Sequence, residues 1–535
     1  MNLLTDPVFR IETPEGQERL SLPQLLEALG LDRVESLPGL QRHQEDAFHI
    51  FLCYLAGAVL ARESQTDPCQ SAEFWLEGIR RLTGREDDCA WTLVVDDVTQ
   101  PAFMQAPVMN KKDFLKFKPK KPPKAVSPDF LDLLVTSKNH DIKSTRISPM
   151  EMDAWIYALI NLQTMTCYLG SGQNGIARSS GGTGCRPRVG LEVSLRTGVQ
   201  WISEIKKLLE YRPSLLAGPW NYADKGIVFT WVHPWDLTTS LSSGELDPFF
   251  IEISRAIRLT KCKQSIAAFG ASTKPKVLAK SVRSEIKGRL GDPWIPIDIE
   301  KGAALNIQKE GFTPKKLRDL IFLRNGDETV YEAAFMQSDH YNRTGSCYFY
   351  ASSLARRGGM NSLTEGFHIE RVYIPAKTRP KLFSRGPDRD RLAVLSKTAL
   401  NDAGLMQNRV LKVALFSFLE GGQNIDKIDR EKREVKEWWK TAENQFSEAW
   451  SRDYFPWLWR MGEQEDDDAA RLEWLKALRD NAETVLDDAI NRYPTHSGRF
   501  YRSQVKAKSV FFSCLYSEHN FPQLKEADHG NAHTD

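Results

Sequence analysis

The feature that most constrains the fold of this chain is a change of sequence pattern near Ser384–Pro387. Before it, short β-branched or aromatic runs alternate with helical patterns and with many Gly- and Pro-containing segments. After it, almost every segment has helical periodicity and the connections are short. The chain has 535 residues, more than one ordinary domain of about 150 residues, so more than one domain is expected. The change of pattern predicts an α+β protein. We expect a large irregular mixed α/β domain over 1–385 and a C-terminal four-helix bundle over 386–535.

Several elements are predicted individually. Trp91–Val95 and Gly226–Trp231 have the composition of strands. In the helix predicted over 45–62, apolar residues recur at helical spacing and form a core-facing stripe: Phe48, Leu52, Leu55 and Val59. A second N-terminal helix is predicted over 151–169. The four C-terminal helices, with breaks expected near Pro456 and Pro494, are predicted over 388–421, 428–452, 468–492 and 497–517.

Charge is distributed unevenly along the chain. The net charge is only +2, which does not favour a protein that binds any polyanion through bulk charge. Basic residues instead concentrate between 111 and 124 and between 255 and 289, whereas 463–468 is acidic. Local basic strips on a nearly neutral chain are typical of a subunit that contacts nucleic acid at particular places and proteins elsewhere.

Other broad classes are not favoured. No apolar run approaches the roughly 20 residues that span a bilayer, and the start Met1–Pro7 lacks the pattern of a secretory signal. We therefore expect a cytoplasmic protein without a membrane partner. The eight cysteines are scattered and form no CxxC pair, so neither disulfides nor a metal site nor another cofactor is predicted.

The strongest local signal is the glycine-rich segment 170–184, which contains six glycines in fifteen residues. Glycines let a backbone approach a partner closely, and exposed amides together with arginine can hold phosphate. No Gly-Lys-Ser/Thr closes the segment, so it is not a Walker A loop. The alternative is a flexible surface loop. The candidate DNA contacts here are Gly172, Gly175, Arg178, Gly181 and Gly182.

Two further segments are candidate nucleic-acid contacts. In 356–368, the residues Gly359, Met360, Asn361 and Ser362 have the composition of a hairpin tip that wedges base steps apart, although an ordinary hairpin fits equally well. In 135–143, the side chains of Lys138, Asn139 and His140 mix donors and acceptors suited to single-stranded nucleic acid. A polar turn is the alternative for that segment.

Enzymatic interpretations find less support in the sequence. His233 and Asp236 are close, but no nucleophile motif accompanies them. Three consecutive carboxylates at 466–468 would point in different directions on a helix, so a solvated helix start explains them better than a metal site. Asp292-Pro293-Trp294 has the pattern of a turn anchored by a buried indole. We therefore predict a non-enzymatic protein; the alternatives are a nucleic-acid enzyme with an unrecognised metal-dependent site and a purely structural scaffold.

Taken in order, these segments resemble the CasA family, the large subunits of type I-E CRISPR Cascade complexes. Each motif alone is weak, but the ordered set covers nearly the whole chain. The similar segments are Asn2–Pro7, Pro101–Gln105, Lys138–Asp141, Asn174–Arg178, Gly181–Gly182, Gly291–Trp294, Thr364–His368 and Leu419–Gly422.

The resemblance implies a role in choosing target DNA. Guide RNA would pair with the target, while this subunit would recognise a short adjacent motif in the duplex and start strand separation. The family's glycine loop corresponds to Gly172–Gly182, its lysine finger to Lys261 with Lys263 next, and its wedge to Gly359–Ser362, where no glutamine stands at the tip. The 138–143 segment resembles the part that contacts the 5′ handle of the guide RNA.

The resemblance also implies partners. They are the guide RNA, the double-stranded target DNA, the backbone, handle-binding and small subunits of the complex, and a separate helicase-nuclease. The helical bundle would face the small subunits and the displaced DNA strand.

Overall fold

A computed structural model supplies the structure of the chain. It describes residues 1–105, 127–128, 131, 151–165, 185–232, 241–253, 257–262, 265–270, 287–325, 328–339, 345–356, 364–384, 386–421, 431–464, 466–493 and 497–530. Within these residues, no helix is both long and apolar enough to cross a membrane.

The chain divides into two compact units. The first contains 1–313, 330–343 and 347–372, and the second contains 314–329, 344–346 and 373–535. The second unit thus takes in short segments that precede residue 385 in the sequence. The mixed α+β character with a helical C-terminal region agrees with the predicted fold class. The domain boundary at residue 385 stays a prediction.

The N-terminal part of the first unit packs helices around α2 (Glu45–Arg62), which has the predicted bounds. Every residue from Asp46 to Leu60 except His49 is buried, so the helix is enclosed on all sides rather than along one stripe. A helix that is apolar all round belongs in the centre of a core. The elements before and after it are β1 (Phe9–Thr13), β2 (Gly16–Leu20), α1 (Leu22–Gly30) and α3 (Ala72–Thr83).

The strand predicted over Trp91–Val95 is wrong. Cys89–Trp91 forms a single 3₁₀ turn, and only Thr92 makes an isolated bridge, to Asn2. The indole of Trp91 is fully buried and packs edge-to-face on Phe229 at 5.0 Å. The aromatic side chain of Trp91 packs in the core from a 3₁₀ turn, so the strand-like composition of 91–95 does not indicate strand pairing.

Three strands of the first unit form its largest described sheet, in the order β14-β13-β3. The central strand pairs antiparallel with β3, with Ser353 opposite Pro187 and Tyr348 opposite Glu192. The predicted 226–231 strand is confirmed as the shorter β4, and the predicted 151–169 helix as α4, within the described residues. The described elements of the first unit between α3 and the C-terminal helices are α4 (Met152–Thr164), β3 (Pro187–Glu192), α5 (Thr197–Leu216), β4 (Ile227–Phe229), β5 (Leu246–Ile251), β6 (Ile257–Cys262), β7 (Ser265–Gly270), β8 (Ile297–Asp298), β9 (Ala303–Ala304), β12 (Tyr331–Glu332), β13 (Cys347–Arg356) and β14 (Thr364–Ile374). The elements of 314–329, which belong to the second unit, are α6 (Pro314–Phe322), β10 (Arg324–Asn325) and β11 (Glu328–Thr329).

The C-terminal region is helical, as the sequence pattern predicts. The break expected near Pro456 is wrong, since α10 runs through that proline. Tyr454, Phe455 and Trp457 around it are buried, and this packing outweighs the one main-chain donor that proline removes. The helices are α7 (Thr378–Phe383), α8 (Pro387–Leu405), α9 (Lys412–Gly421), α10 (Arg433–Met461), α11 (Asp467–Arg492), α12 (Ser497–Leu515) and α13 (Pro522–Gly530).

The first long C-terminal helix contains a π-helical segment. Met406–Leu411 connects α8 to α9 without a break in the helix. Met406, Val410 and Leu411 in this segment are fully buried. A π-helical turn takes up one residue more than an α-helical turn, so the segment sets which face of α9 meets the core.

Candidate nucleic-acid interface

Most of the predicted contact residues lie outside the described part of the chain. They are Lys138, Asn139, His140, Gly172, Gly175, Arg178, Gly181, Gly182, Lys263, Gly359, Met360, Asn361 and Ser362. His233 and Asp236 also lie outside it. Their roles stay predictions, and the structure bears on them only through the residues that flank them.

Lys261 is described, and it lies on the hairpin of β6 and β7. The two strands pair antiparallel over six residues each, with Lys261 opposite Ile266. The Lys261 side chain is 69% exposed, and its ammonium donates to Asp96 Oδ1 at 2.8 Å. Asp96 is itself 88% exposed, and such a surface pair contributes at most about 1 kcal/mol. The ammonium is therefore available to an anionic partner.

The strand that carries Lys261 is held by the buried side chain of Gln105. The Gln105 Oε1 atom accepts the main-chain N–H of Leu259 at 2.7 Å. Its Nε2 atom donates to the carbonyls of Leu93 at 2.6 Å and Phe103 at 3.3 Å. Gln105 is fully buried, so its amide joins β6 to the segment 93–105 without competition from water.

Arg258 makes a second connection between the same two segments. Its Nη2 donates to the carbonyl of Gln100 at 2.5 Å. The Arg258 Nε and Nη1 groups are buried without a hydrogen-bond partner among the described residues. Burial lowers the pKa of Arg258 to about 10, and the charge of Asp97 opposes that shift. The buried Arg258 guanidinium thus connects β6 to segment 93–105 through a hydrogen bond to the carbonyl of Gln100.

The turn that carries Gln105 has a constrained backbone. Met104 has φ of +48°, a left-handed conformation that non-glycine residues rarely adopt. The Gln163 Nε2 group donates to the Met104 carbonyl at 2.9 Å, and both residues are buried. Such strain persists where the surroundings determine the conformation. Gln163 lies near the end of α4, which directly precedes the glycine-rich segment in the sequence.

The residues on either side of that segment are also fixed. The N–H of Arg186 donates to the carbonyl of Met165 at 3.2 Å, which joins the end of α4 to the start of β3. The guanidinium of Arg186 is fully buried and pairs with Asp292, and its Nη2 lies 3.4 Å from the hydroxyl of Tyr54. Opposing carboxylates and Tyr54 raise the pKa of Arg186, although burial acts in the other direction. The predicted turn at 292–294 is confirmed, with Trp294 fully buried.

A buried ionic cluster continues along β3; we define it as Asp46, Arg188 and Glu204. Arg188 Nη1 lies 2.7 Å from Asp46 Oδ1, and Nη2 lies 2.8 Å from Glu204 Oε1. The hydroxyls of Tyr350 and Ser352 on β13 donate to Asp46 at 2.5–2.7 Å. The cluster therefore ties β3 and β13 to the central helix α2.

The sheet register pairs residues that flank two of the predicted contact segments. Pro187, just after the glycine-rich segment, lies opposite Ser353, just before the predicted wedge. Because β13 and β14 are neighbours, residues 357–363 connect adjacent strands, as the predicted wedge requires. The sequence did not indicate this pairing, since nothing local relates residue 187 to residue 353.

A cavity of about 440 Å³ opens beside the buried ionic cluster. Its wall includes His49, whose Nε2 lies 2.8 Å from Glu204 Oε2 and 3.5 Å from the thiol of Cys53. These three ligand-type atoms lie within 4.8 Å of one another. Glu204 is, however, already bonded by Arg188, Gln200 and the Trp294 indole, and burial raises the pKa of the Cys53 thiol. A metal would have to displace several of these partners, so the site favours a structural role.

The acidic run is a helix start. Asp466 is the N-cap of α11, and its Oδ1 accepts the N–H groups of Asp468 and Ala469 at 3.0 Å each. Asp467 pairs with Arg391 at 2.7 Å. The prediction of a solvated helix N-terminus is confirmed for this run.

Comparisons with known proteins show the fold. No protein-family model matches the sequence, and no curated protein is significantly similar to it. Among solved structures, Cse1 from Acidimicrobium ferrooxidans superposes with a TM-score of 0.57 at 13% identity, covering 96% of this chain and 97% of that one. Thermobifida fusca Cse1 gives 0.57 at 14% identity, with 96% and 97% covered.

A third solved chain, from a structure described as a CRISPR RNA-guided surveillance complex, gives a TM-score of 0.56 at 12% identity and covers 96% and 99% of the two chains. The resemblance to the CasA family is thus confirmed at the level of the fold and over nearly the full length of both chains.

Proposed function

We propose that this chain, which has the fold of the Cse1/CasA proteins, is the large subunit of a type I-E CRISPR Cascade complex. It recognises the protospacer-adjacent motif in double-stranded target DNA, helps to open the duplex for guide-RNA pairing, and has no catalytic activity of its own. The similarity of fold, over 96% of this chain, to two Cse1 chains and to a chain of a CRISPR RNA-guided surveillance complex supports this assignment.

The observation that carries the proposal is the exposure of the Lys261 side chain and its ion pair with Asp96. An exposed lysine on a regular hairpin, bonded only to an exposed aspartate among the described residues, has the properties of a group that contacts DNA. The hairpin itself is held by buried hydrogen bonds, so the ammonium projects from a fixed base. A lysine in this setting can reach a base-edge acceptor or a phosphate oxygen.

The other contacts are proposed from the family resemblance, and the residues that flank the glycine-rich segment support one of them. In the sequence, residues 172–182 lie between α4 and β3, and the residues that adjoin these two elements are joined by the Arg186 to Met165 hydrogen bond. We propose that Gly172, Gly175, Arg178, Gly181 and Gly182 contact the adjacent motif, with Lys263 as a second lysine. The segment with Lys138, Asn139 and His140 is assigned to the 5′ handle of the guide RNA.

The remaining partners belong to the same proposal. The other Cascade subunits would assemble with this chain on the guide RNA, and a helicase-nuclease would be recruited to supply cleavage. This division of labour is consistent with the absence of a recognisable nuclease or ATPase motif in the sequence.

The test uses the reconstituted complex and duplexes that share one guide-matched target but carry randomised flanking sequence. Lys261→Ala should reduce the ratio of affinities between the best and worst flanks about tenfold, since one specific base contact is worth about 1–3 kcal/mol. Lys309→Ala is the matched control, because Lys309 is similarly exposed and lies on another segment. An unchanged ratio in the Lys261→Ala complex would show that this lysine does not read the motif.

The wedge is tested separately. We propose that Met360 and Asn361, at the tip between β13 and β14, separate the first base pairs. The double variant Met360→Ala/Asn361→Ala should slow R-loop formation at matched targets, because unstacking groups are often worth about 1–3 kcal/mol per base. R-loop formation at the normal rate and extent would remove the wedge from the proposal.

A further inference from the structure

The segment 93–105 contacts the Lys261 strand at three successive points. Asp96 meets the Lys261 ammonium, the Gln100 carbonyl accepts from Arg258, and the Gln105 amide accepts from Leu259. The last contact is the most buried and the most specific, because one amide group serves both as acceptor for β6 and as donor to the carbonyl of Leu93. The two functions together require a side chain with one acceptor and one donor at this position, which the glutamine amide supplies.

The same turn is also connected to the helix α4. Gln163 on α4 donates to the carbonyl of Met104, next to Gln105. The helix α4 ends at Thr164, and the glycine-rich segment 170–184 follows five residues later in the sequence. The turn Phe103–Gln105 therefore lies between the two elements to which we assign contacts with the adjacent motif.

A sequence twin of this turn shows what is particular to it. Ala-Phe-Met-Gln occurs at 102–105 and again at 334–337. In both copies the glutamine N–H donates to the alanine carbonyl, at 3.1 and 3.0 Å. The Gln337 side chain, however, accepts the N–H of Ala334 in its own turn at 2.7 Å, whereas the Gln105 side chain accepts from Leu259, 154 residues away.

We propose that Gln105 is the positioning residue for Lys261. Its buried amide fixes the strand β6 relative to segment 93–105, and thereby fixes where the Lys261 ammonium projects. The inference rests on the proposed function, since it concerns how Lys261 reaches the DNA. Gln105 acts through the position of β6 and does not itself contact the DNA.

The experiment is a double-mutant cycle in the reconstituted complex, with the same randomised-flank duplexes. Gln105→Leu removes the acceptor for Leu259 and the donor to Leu93. It should lower the ratio of affinities between best and worst flanks nearly as much as Lys261→Ala does, that is, about tenfold. In the Lys261→Ala background, Gln105→Leu should cause no further loss, because coupled residues are not additive. Gln337→Leu, the control in the twin turn, should leave the ratio unchanged.

The outcomes separate the inference from the proposed function. If Lys261→Ala leaves the ratio unchanged, the lysine contact fails and Gln105 has no lysine to position. A loss with Lys261→Ala but none with Gln105→Leu overturns the inference alone. Additive losses in the double variant also overturn it, because they would mean that Gln105 acts through another group.

A second variant covers the case in which Gln105→Leu fails to fold. Gln105→Glu keeps the acceptor for Leu259, but its carboxylate would face the carbonyl oxygens of Leu93 and Phe103. Burial raises the pKa of such a carboxyl, and the protonated form can donate to Leu93 as the amide does. Flank discrimination by this variant should therefore recover between about pH 8 and about pH 6, while the unmodified complex changes little. Discrimination at the unmodified level when the pH is raised far enough to ionise the carboxyl would contradict the inference, because the ionised form cannot donate to Leu93.

Discussion

Arg188 is bonded on two sides by carboxylates that the sequence separates widely. Asp46 lies on α2 and Glu204 on α5, and all three side chains are buried. Burial alone would raise the pKa of Asp46, but the Arg188 guanidinium and the hydroxyls of Ser352 and Tyr350 lower it below its ordinary value. A buried pair of this kind is costly to break because the remaining charge loses its partner.

Loss of charge at Asp46 should therefore destabilise the first unit. We expect Asp46→Asn to lower the free energy of unfolding by about 3 kcal/mol, measured by urea denaturation followed by tryptophan fluorescence. Glu151→Gln is the control, because its pair with Arg19 is about half exposed on both sides and should contribute less than about 1 kcal/mol. Similar decreases in the free energy of unfolding for the two variants would show that the buried cluster stabilises the protein no more than an exposed ion pair does.

The same carboxylates predict sensitivity to acid. Burial opposes ionisation of Glu204, yet Arg188 and His49 hold its pKa below the ordinary 4.5. A group whose pKa is lower in the folded state stabilises above its unfolded pKa and loses this contribution as the pH falls. The free energy of unfolding should thus decrease as the pH is lowered below 4.5, and less steeply in Glu204→Gln. An equally steep decrease in that variant would assign the effect to other groups.

Single residues also show how far sequence reasoning reaches. Lys261 is predicted only by the resemblance to the CasA family; the structure shows that its side chain is exposed, and its contact with DNA stays a prediction. Gln105 belongs to the family-like Phe-Met-Gln segment, but no local pattern links it to Leu259, 154 positions away. His49 and Cys53 stand at i, i+4 spacing on α2, but Glu204 completes that group from another helix.

At the scale of elements, the N-cap of α11 gives a clear prediction. Asp466→Ala should lower the free energy of unfolding by about 1 kcal/mol, because two N–H groups at the helix start lose their acceptor. Urea denaturation of the intact chain measures this effect. Glu463→Ala, in the same acidic run but outside the helix, should change it by less than about 0.5 kcal/mol. The reverse order of the two effects would contradict the cap assignment.

Long helices are predicted well where apolar residues and helix start and stop signals agree. The helix at 45–62 and the four long C-terminal helices follow from such patterns, although α2 is buried all round and has no single apolar face. Trp91–Val95 failed because aromatic residues favour strands only on average, and here Trp91 fills the core from a 3₁₀ turn. Pro456 failed as a helix break because buried neighbours on both sides keep the helix together.

At the scale of the whole molecule, the proposed function predicts no cleavage by the chain alone. Purified chain incubated with Mg²⁺ or Mn²⁺ should leave DNA and RNA intact, because in the acidic run Asp466 caps a helix and Asp467 pairs with Arg391. Gel analysis of labelled substrates measures this. Metal-dependent cleavage that disappears in His233→Ala or Asp236→Ala would instead support the alternative of a nucleic-acid enzyme.

The division into units was only partly accessible from the sequence. The pattern change near residue 385 marks where helices take over, and the structure confirms a helical C-terminal region. Segments 314–329 and 344–346 nevertheless belong to the second unit. Short strands and a single nine-residue helix carry no periodicity that would assign them to one core rather than another.

The π-helical segment at Met406–Leu411 has a consequence for changes of chain length. One residue turns an α-helix by about 100°, but a π-helical turn holds one residue more than an α-helical turn. Removing one residue of this segment would therefore restore plain α-helical winding and leave the residues after it close to their present orientation. Ala414, Leu415 and Phe418, all fully buried, would keep facing the core they fill. A deletion elsewhere in α8 or α9 has no wide turn to absorb it, so this segment is where the helix best tolerates the loss of a residue.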